Sequence, residues 1–144
     1  MKNITSGIYE KGAINLNEIM NSLKNQPQIS NVGSILSFTG IVRNTSKEGN
    51  SVSSLTIDAY DELANKSIEK ICNKIKKRQG IIDLKLIHLK GSFKISEDLV
   101  YVVVASAHRE EGFKALRDTV ERYKTEIEVW KKEELCDGSS DWHH

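Results

Sequence analysis

Residues 99–107, Leu-Val-Tyr-Val-Val-Val-Ala-Ser-Ala, constrain the fold more than any other segment of this chain. A strand with one face in water alternates apolar and polar residues, whereas this run is apolar at nearly every position. It therefore predicts a strand in the middle of a sheet, with other elements packed on both of its faces. The rest of the chain must supply that cover.

Helical and strand-like patterns interleave along the remaining sequence. Apolar spacing of three and four predicts a helix capped by Asn15, a second capped by Asp61 and ended by Gly80, and a third over 110–124 with Phe113, Leu116, Val120 and Tyr123 inward. Alternating patterns predict strands at 4–9, 33–43, 52–60, 81–89, 91–96 and 127–132, and the tail from Cys136 is predicted to be a loop. Because the order lacks a regular βαβ rhythm, we predict an α+β fold with helices packed on a mostly antiparallel sheet.

Length and composition favour one ordinary globular domain. The chain has 144 residues and a net charge of +1, so we expect a single domain over 1–144 with no global field for nucleic acid or membranes. Cys72 and Cys136 are far apart in the sequence and do not suggest a disulfide or a zinc site. Without a signal peptide or a membrane-length apolar run, we expect a soluble, cytoplasmic protein. We predict no metal or cofactor, and assign no ligand to His143 or His144.

Two lysines flank the point where the last predicted helix gives way to the last predicted strand. Lys124 follows Val120 by four residues, which places it on the buried side of the helix. In the strand, Lys131 projects to the same face as Ile127 and Val129, at the rim of an apolar surface. Two ammonium groups that are close together and partly desolvated each make the charged form of the other less favourable. The amine is then more nucleophilic, and the pair forms a site for anions.

Both lysines also have ordinary structural interpretations. The stem of Lys124 can pack while its amine stays in water, and a helix C-terminus favours a cation. Residues 131–134, Lys-Lys-Glu-Glu, can equally be a solvated charged run, an interpretation that suits Lys132 better than Lys131.

Further cationic groups stand at predicted strand ends. His108 and Arg109 follow the buried strand where a helix begins, and free N–H groups at a helix start attract anions. Arg109 offers a planar fork to an oxyanion, although it can also form a surface pair with Glu110, and His108 can be a satisfied edge histidine. Arg43 follows Thr39-Gly40 in the same way, with a polar loop behind it.

Other candidates are weaker. Residues 74–78, Lys-Ile-Lys-Lys-Arg, form a basic cluster at a helix end, which we interpret as a solvated face. His88 alternates with Leu84 and Leu86 and is more typical of a structural histidine than a catalytic one. Cys72 lies in a helical apolar stripe and is expected in the core.

Taken together, these motifs resemble the large, catalytic subunit of molybdopterin synthase, the MoaE family. The resemblance runs over 33–142 and is carried by Ser37-Phe-Thr-Gly-Ile-Val-Arg-Asn44, Leu55-Thr-Ile-Asp-Ala-Tyr60, His88-Leu-Lys-Gly91, Ser106-Ala-His-Arg109, Lys124 and Val129-Trp-Lys-Lys-Glu133. The chain departs from the family pattern at Glu128, where a proline is common, and at Leu89-Lys90 within the third motif.

The resemblance implies an α/β-hammerhead-type fold and a homodimer that carries two copies of a small ubiquitin-like sulfur-carrier subunit. It implies a reaction in which sulfur from the carrier's C-terminal Gly-Gly thiocarboxylate enters cyclic pyranopterin monophosphate and forms the molybdopterin dithiolene. Lys124 and Lys131 become the catalytic lysines. The substrate pocket, shared by both protomers, is then formed by Ile41, Val42, Arg43, His108, Arg109, Lys132 and Glu133.

Two alternatives remain at the level of sequence. The chain can be a non-catalytic α+β module that binds RNA or a nucleotide through its Lys/Arg cluster, although few aromatic residues (6%) are available for stacking on bases. It can also be a degenerate family member that binds the carrier without transferring sulfur. The presence of Lys124, Lys131, His108 and Arg109 argues against this alternative.

Overall fold

The apolar run lies in the middle of a sheet in a computed structural model of the chain, which describes residues 3–143. The strands are β1 (Gly7–Glu10), β2 (Ser34–Ile41), β3 (Val52–Ala59), β4 (Ile81–Lys94), β5 (Asp98–Ser106), β6 (Val129–Leu135) and β7 (Ser140–His143). The helices are α1 (Leu16–Lys24), α2 (Asp61–Lys76) and α3 (Arg109–Glu126), and a short 3-10 helix spans Ile29–Asn31. His144, named above with His143, lies outside the described residues.

The seven strands form one sheet in the order β2-β5-β4-β3-β6-β7, and β1 pairs with β4 beside this path. Within residues 3–143, the strand pairs are antiparallel except for β1 with β4. Strand β4 connects the two halves of the sheet, because residues 81–88 pair with β5 and residues 91–94 pair with β3. The α+β prediction of helices on a mostly antiparallel sheet is therefore confirmed.

Strand β5 is central, as its composition predicts. Residues 99–106 are all buried, and β2 and β4 pair with its two edges. Helix α3 packs on β2 and β5, α2 packs on β4, and α1 contacts β5. Burying this continuous apolar surface is the main source of stability that the fold offers.

The helix ends agree with the sequence in one case and not in another. Asn15 caps α1 through a capping box, in which its side chain accepts from the Glu18 N–H at 2.9 Å. The predicted cap at Asp61 is wrong, because Asp61 is the first helical residue and its carboxylate pairs with Lys90 at 2.6 Å. Helix α2 also ends at Lys76, before Gly80, which turns the chain into β4 at a φ of +83°.

The buried stripe of α3 differs from the predicted one. Phe113 is 58% exposed, so its predicted inward position is wrong. Val120 and Tyr123 are buried as predicted, and small residues complete the stripe. A Cβ on Gly112 would lie 2.5 Å from both Leu36 Cδ1 and Ser106 Oγ. Because the helix approaches β2 this closely at Gly112, the neighbouring phenylalanine faces outward.

The sequence predicted which segments form strands better than it predicted where each strand begins and ends. The predicted break between 81–89 and 91–96 is absent, since β4 is continuous through Lys94. The tail predicted as a loop contains β7, which pairs with β6. The first and last predicted strands, 4–9 and 127–132, are shifted to Gly7–Glu10 and Val129–Leu135. Across residues 3–143, the helices are too short or too polar to cross a bilayer.

Candidate functional site

A pocket of about 870 Å³ opens where the end of α3, strand β6 and the loop after β2 meet. Lys124 comes from the last turn of α3, Lys131 from β6 and Arg43 from the start of the loop. The structure therefore brings three of the predicted cations to one concave surface. Ile41 and Glu133, two other predicted site residues, also line the pocket.

Lys131 is half-buried in this pocket because of the pleat of β6. Val129, on the same face of the strand, is 6% exposed, and Lys131 stands opposite Ile57 of β3 and His143 of β7. Burial lowers the pKa of the Lys131 amine, and the charges of Lys124, Lys47 and Arg43 lower it further, against the opposing effect of Glu133. The amine is thus more often neutral, and more nucleophilic, than that of an ordinary lysine.

Lys124 contributes to the same pocket from an exposed position. The prediction that it shares the buried side of its helix is wrong, since the buried residue at this turn is Tyr123. One position along the helix turns the side chain about 100° away from the core, to the pocket margin. Next to burial, its charge is the largest influence on the pKa of Lys131, so the two amines act on each other electrostatically.

Val42 and Lys132 lie elsewhere in this chain. Val42 is 4% exposed in the core, and its backbone bonds to Ser96 and Glu97 rather than facing the pocket. Lys132 projects from the opposite face of β6, where its Nζ lies 5.6 Å from the centre of the Trp142 ring and 3.3 Å from Glu134. The alternation of a strand separates Lys132 from Lys131.

His108 and Arg109 are distant from the two lysines within one chain. They stand at the start of α3, and the fifteen helical steps from Arg109 to Lys124 correspond to roughly 23 Å of helix. The His108 side chain is 80% exposed, with its Nδ1 3.9 Å from Glu111. A pocket that includes this pair together with Lys124 and Lys131 requires a second copy of the chain.

The sequence did not indicate that His88 is a site residue, but the structure places it in the pocket wall. Desolvation by burial, and secondarily the charge of Lys131, lower the pKa of His88 to about 4, so the ring is neutral near pH 7. Its Nδ1 is 3.0 Å from the Leu89 carbonyl oxygen, which fixes the proton there and leaves Nε2 as an acceptor. The alternation with Leu84 and Leu86 was the available signal, because it puts His88 on the face that α3 covers.

Tyr123 was predicted to point inward, and it also lines the pocket beside His88. The ring centres are 5.8 Å apart in an edge-on arrangement, and burial raises the pKa of the Tyr123 hydroxyl to about 12. The hydroxyl therefore keeps its proton. Together these two side chains give the pocket a neutral floor beneath its charged rim.

Acidic groups and a histidine meet at one side of the pocket. Glu48, Glu133 and His143 have ligand atoms within 4.8 Å of one another, and His143 Nε2 lies 2.7 Å from Glu133 Oε1 and 3.5 Å from Asp141. The His143 imidazole therefore lies between carboxylates, and these side chains form one polar cluster. His143, which the sequence left without a role, thereby becomes a pocket residue.

The basic cluster at the end of α2 is partly neutralised. Arg78 pairs with Asp118 of α3 at 2.7 Å, and Lys76 and Lys77 are exposed at the helix end. This arrangement matches the solvated face expected from the sequence more closely than a surface for RNA.

Comparison with known proteins places these features in a family. The family model described as MoaE protein matches residues 9–126. A molybdopterin synthase catalytic subunit from Thermoplasma volcanium is 35% identical over 121 residues, which cover 84% of this chain and 88% of that protein.

Solved structures agree. The crystal structure of molybdopterin synthase from Staphylococcus aureus superposes with a TM-score of 0.84 at 28% identity and covers 100% of this chain and 98% of that one. A chain from the complex of subunits 1 and 2 of the molybdopterin-converting factor of Helicobacter pylori superposes with a TM-score of 0.73 over 94% of this chain and 88% of that one. At 23% identity, this second likeness supports the fold alone.

Proposed function

This chain belongs to the MoaE protein family, and we propose that it is a molybdopterin synthase catalytic subunit that transfers sulfur from a thiocarboxylated carrier protein to cyclic pyranopterin monophosphate. The observation that carries the proposal is the convergence of Lys124, Lys131 and Arg43 on one pocket, with the amine of Lys131 half-buried. Both substrates of such a reaction are anionic. A pocket rimmed by cations lets them approach without repelling each other.

The chemistry sets the tasks of the pocket. The bond between sulfur and the acyl carbon of the carrier thiocarboxylate breaks, and sulfur forms a bond to a pterin carbon, from which an oxygen substituent leaves. Water adds to the acyl carbon in place of the sulfur, so the carrier is released as a carboxylate. Each carrier supplies one sulfur, and two carriers are consumed for each dithiolene. Negative charge must be stabilised both on the acyl oxygen and on the pterin phosphate during these steps.

We assign these tasks to residues by position. Lys124, exposed at the pocket margin, meets the carrier's terminal carbonyl and polarises it. Lys131, which lies deeper, stabilises charge on the pterin and its phosphate. Arg43 adds an anion contact, and Ile41 and Glu133 line the same space.

His108 and Arg109 complete the site from a second copy of the chain. Both are exposed at the start of α3, where free N–H groups and the helix dipole favour anions. A homodimer with one carrier on each protomer gives the heterotetramer expected for the family. The proposed carrier is a small ubiquitin-like protein with a C-terminal Gly-Gly tail; the Helicobacter pylori structure is a complex of subunits 1 and 2 of the molybdopterin-converting factor.

We place this reaction in the cytoplasm. Cys72 is buried and Cys136 is exposed, and both are free thiols. Unpaired cysteines, one of them exposed, suit a reducing compartment. Nucleic acid and membrane are not among the proposed partners.

Reconstitution tests the proposed function. The chain is mixed with cyclic pyranopterin monophosphate and a carrier that ends in a thiocarboxylate, and the dithiolene product is quantified. We expect product with this carrier and none with the same carrier ending in a carboxylate, because the sulfur source is then missing. Absence of product, together with tight RNA binding that weakens steeply with salt, would support the nucleic-acid module instead.

A further inference from the structure

The loop after β2 holds a defined shape over the pocket. Thr45 and Ser51 pair across its base, and the Ser46 N–H donates to the Asn50 carbonyl at 2.8 Å. The Asn50 N–H donates to Ser46 Oγ at 3.1 Å, and Gly49 adopts a φ of +86° that glycine tolerates best. Ser46 is buried by these contacts. The turn therefore presents its tip residues, 47 and 48, in a fixed direction.

Lys47 lies at this tip and lines the pocket. Lys131 lines the same pocket, and the charge of Lys47 contributes, after burial and Lys124, to lowering the pKa of the Lys131 amine. Among the ion pairs formed by residues 3–143, none includes Lys47, whereas its neighbour Glu48 lies in the cluster with Glu133 and His143. Lys47 is therefore a cation that faces the pocket without a carboxylate of its own.

We propose that Lys47 binds an anionic oxygen of the substrate's cyclic phosphate and thereby determines affinity for the pterin. This inference rests on the proposed function. A cyclic phosphodiester has two non-bridging oxygens that share its charge, so one cation in the wall, Lys131, and one above it, Lys47, can contact both. The carrier tail has a single anionic group, which Lys124 meets at the margin.

Steady-state kinetics with each substrate varied separately test this assignment. We expect Lys47→Ala to raise KM for the cyclic pterin about tenfold, as for a lost hydrogen bond between charged groups, while kcat and the KM for the carrier stay within about twofold. Lys47→Arg keeps the charge and should recover most of the affinity. Lys77→Ala, which removes an exposed lysine at the end of α2, is the matched control and should leave all three constants unchanged.

Calorimetric titration of the cyclic pterin, with no carrier present, makes the test independent of turnover. We expect the Kd to rise about tenfold in Lys47→Ala and the difference to shrink at high salt. An unchanged Kd, or a rise confined to the KM for the carrier, would overturn the inference. If the unmodified chain binds pterin but forms no dithiolene, the proposed function fails, while the titration still decides the role of Lys47.

Discussion

Lys131→Ala is expected to lower kcat for dithiolene formation by about 100-fold or more, the loss typical of removing one group that stabilises charge in a transition state. The amine is half-buried in the pocket wall, and the charges of Lys124, Lys47 and Arg43 act on it. Lys131→Arg keeps a charge but replaces the small amine with a larger planar group, and should recover little of the rate.

A loss of catalysis in Lys131→Ala must be distinguished from a loss of folding. Keeping a charged amine partly desolvated beside other cations is unfavourable, so its removal should leave the thermal midpoint unchanged or raise it. Lys77→Ala provides the charge-matched control and should retain full kcat. Turnover close to that of the unmodified chain in Lys131→Ala would remove Lys131 from the catalytic group.

Mixing two inactive variants is expected to restore activity. Lys131→Ala and Arg109→Ala should each be inactive as homodimers, because each lacks one component of every site. If the pocket takes Lys131 from one protomer and Arg109 from its partner, a mixed dimer has one site with both defects and one intact site. Random mixing yields about half mixed dimers, so the preparation should recover about one quarter of normal turnover.

The separation along α3 is the reason for this expectation. Roughly 23 Å of helix lies between Arg109 and Lys124, so one chain cannot place both beside the same small substrate. Co-expression followed by denaturation and refolding ensures exchange of protomers, and a tag on one variant isolates the mixed dimers. If isolated mixed dimers are as inactive as their parents, His108 and Arg109 do not complete the partner's pocket.

The parts of this fold that the sequence predicted depend on strong local patterns. The apolar run in β5 could only be a covered strand, and the alternation in β6 correctly separated Lys131 from Lys132. The helix pattern correctly buried Val120 and Tyr123 but also placed Lys124 on the buried side, whereas it is exposed, and it did not reveal the close approach of Gly112 to β2. That approach depends on tertiary packing, which spacing alone does not report.

Other site residues had no such pattern. Lys47 lies in a polar loop whose direction is set by hydrogen bonds of Ser46 and Asn50, and β7 is too short and polar to be recognised before its pairing with β6 is known. The sequence predicted that His88 is a structural histidine, and it is buried in the core. Its position in the pocket wall depends on where the core meets the pocket, which the sequence pattern does not show. In the proposed site, His108 and Arg109 come from a second chain, and no feature of a single chain fixes that placement.

The reactivity of the Lys131 amine tests the central claim most directly, namely that this desolvated lysine is where the two anionic substrates meet. The chain is treated with limiting acylating reagent over a pH series, and labelling at each lysine is quantified by mass spectrometry. We predict that Lys131 titrates with an apparent pKa below the ordinary lysine value, and that cyclic pterin and carrier together protect it while Lys77 stays reactive. An ordinary lysine titration at Lys131, with no protection by either substrate, would contradict the account.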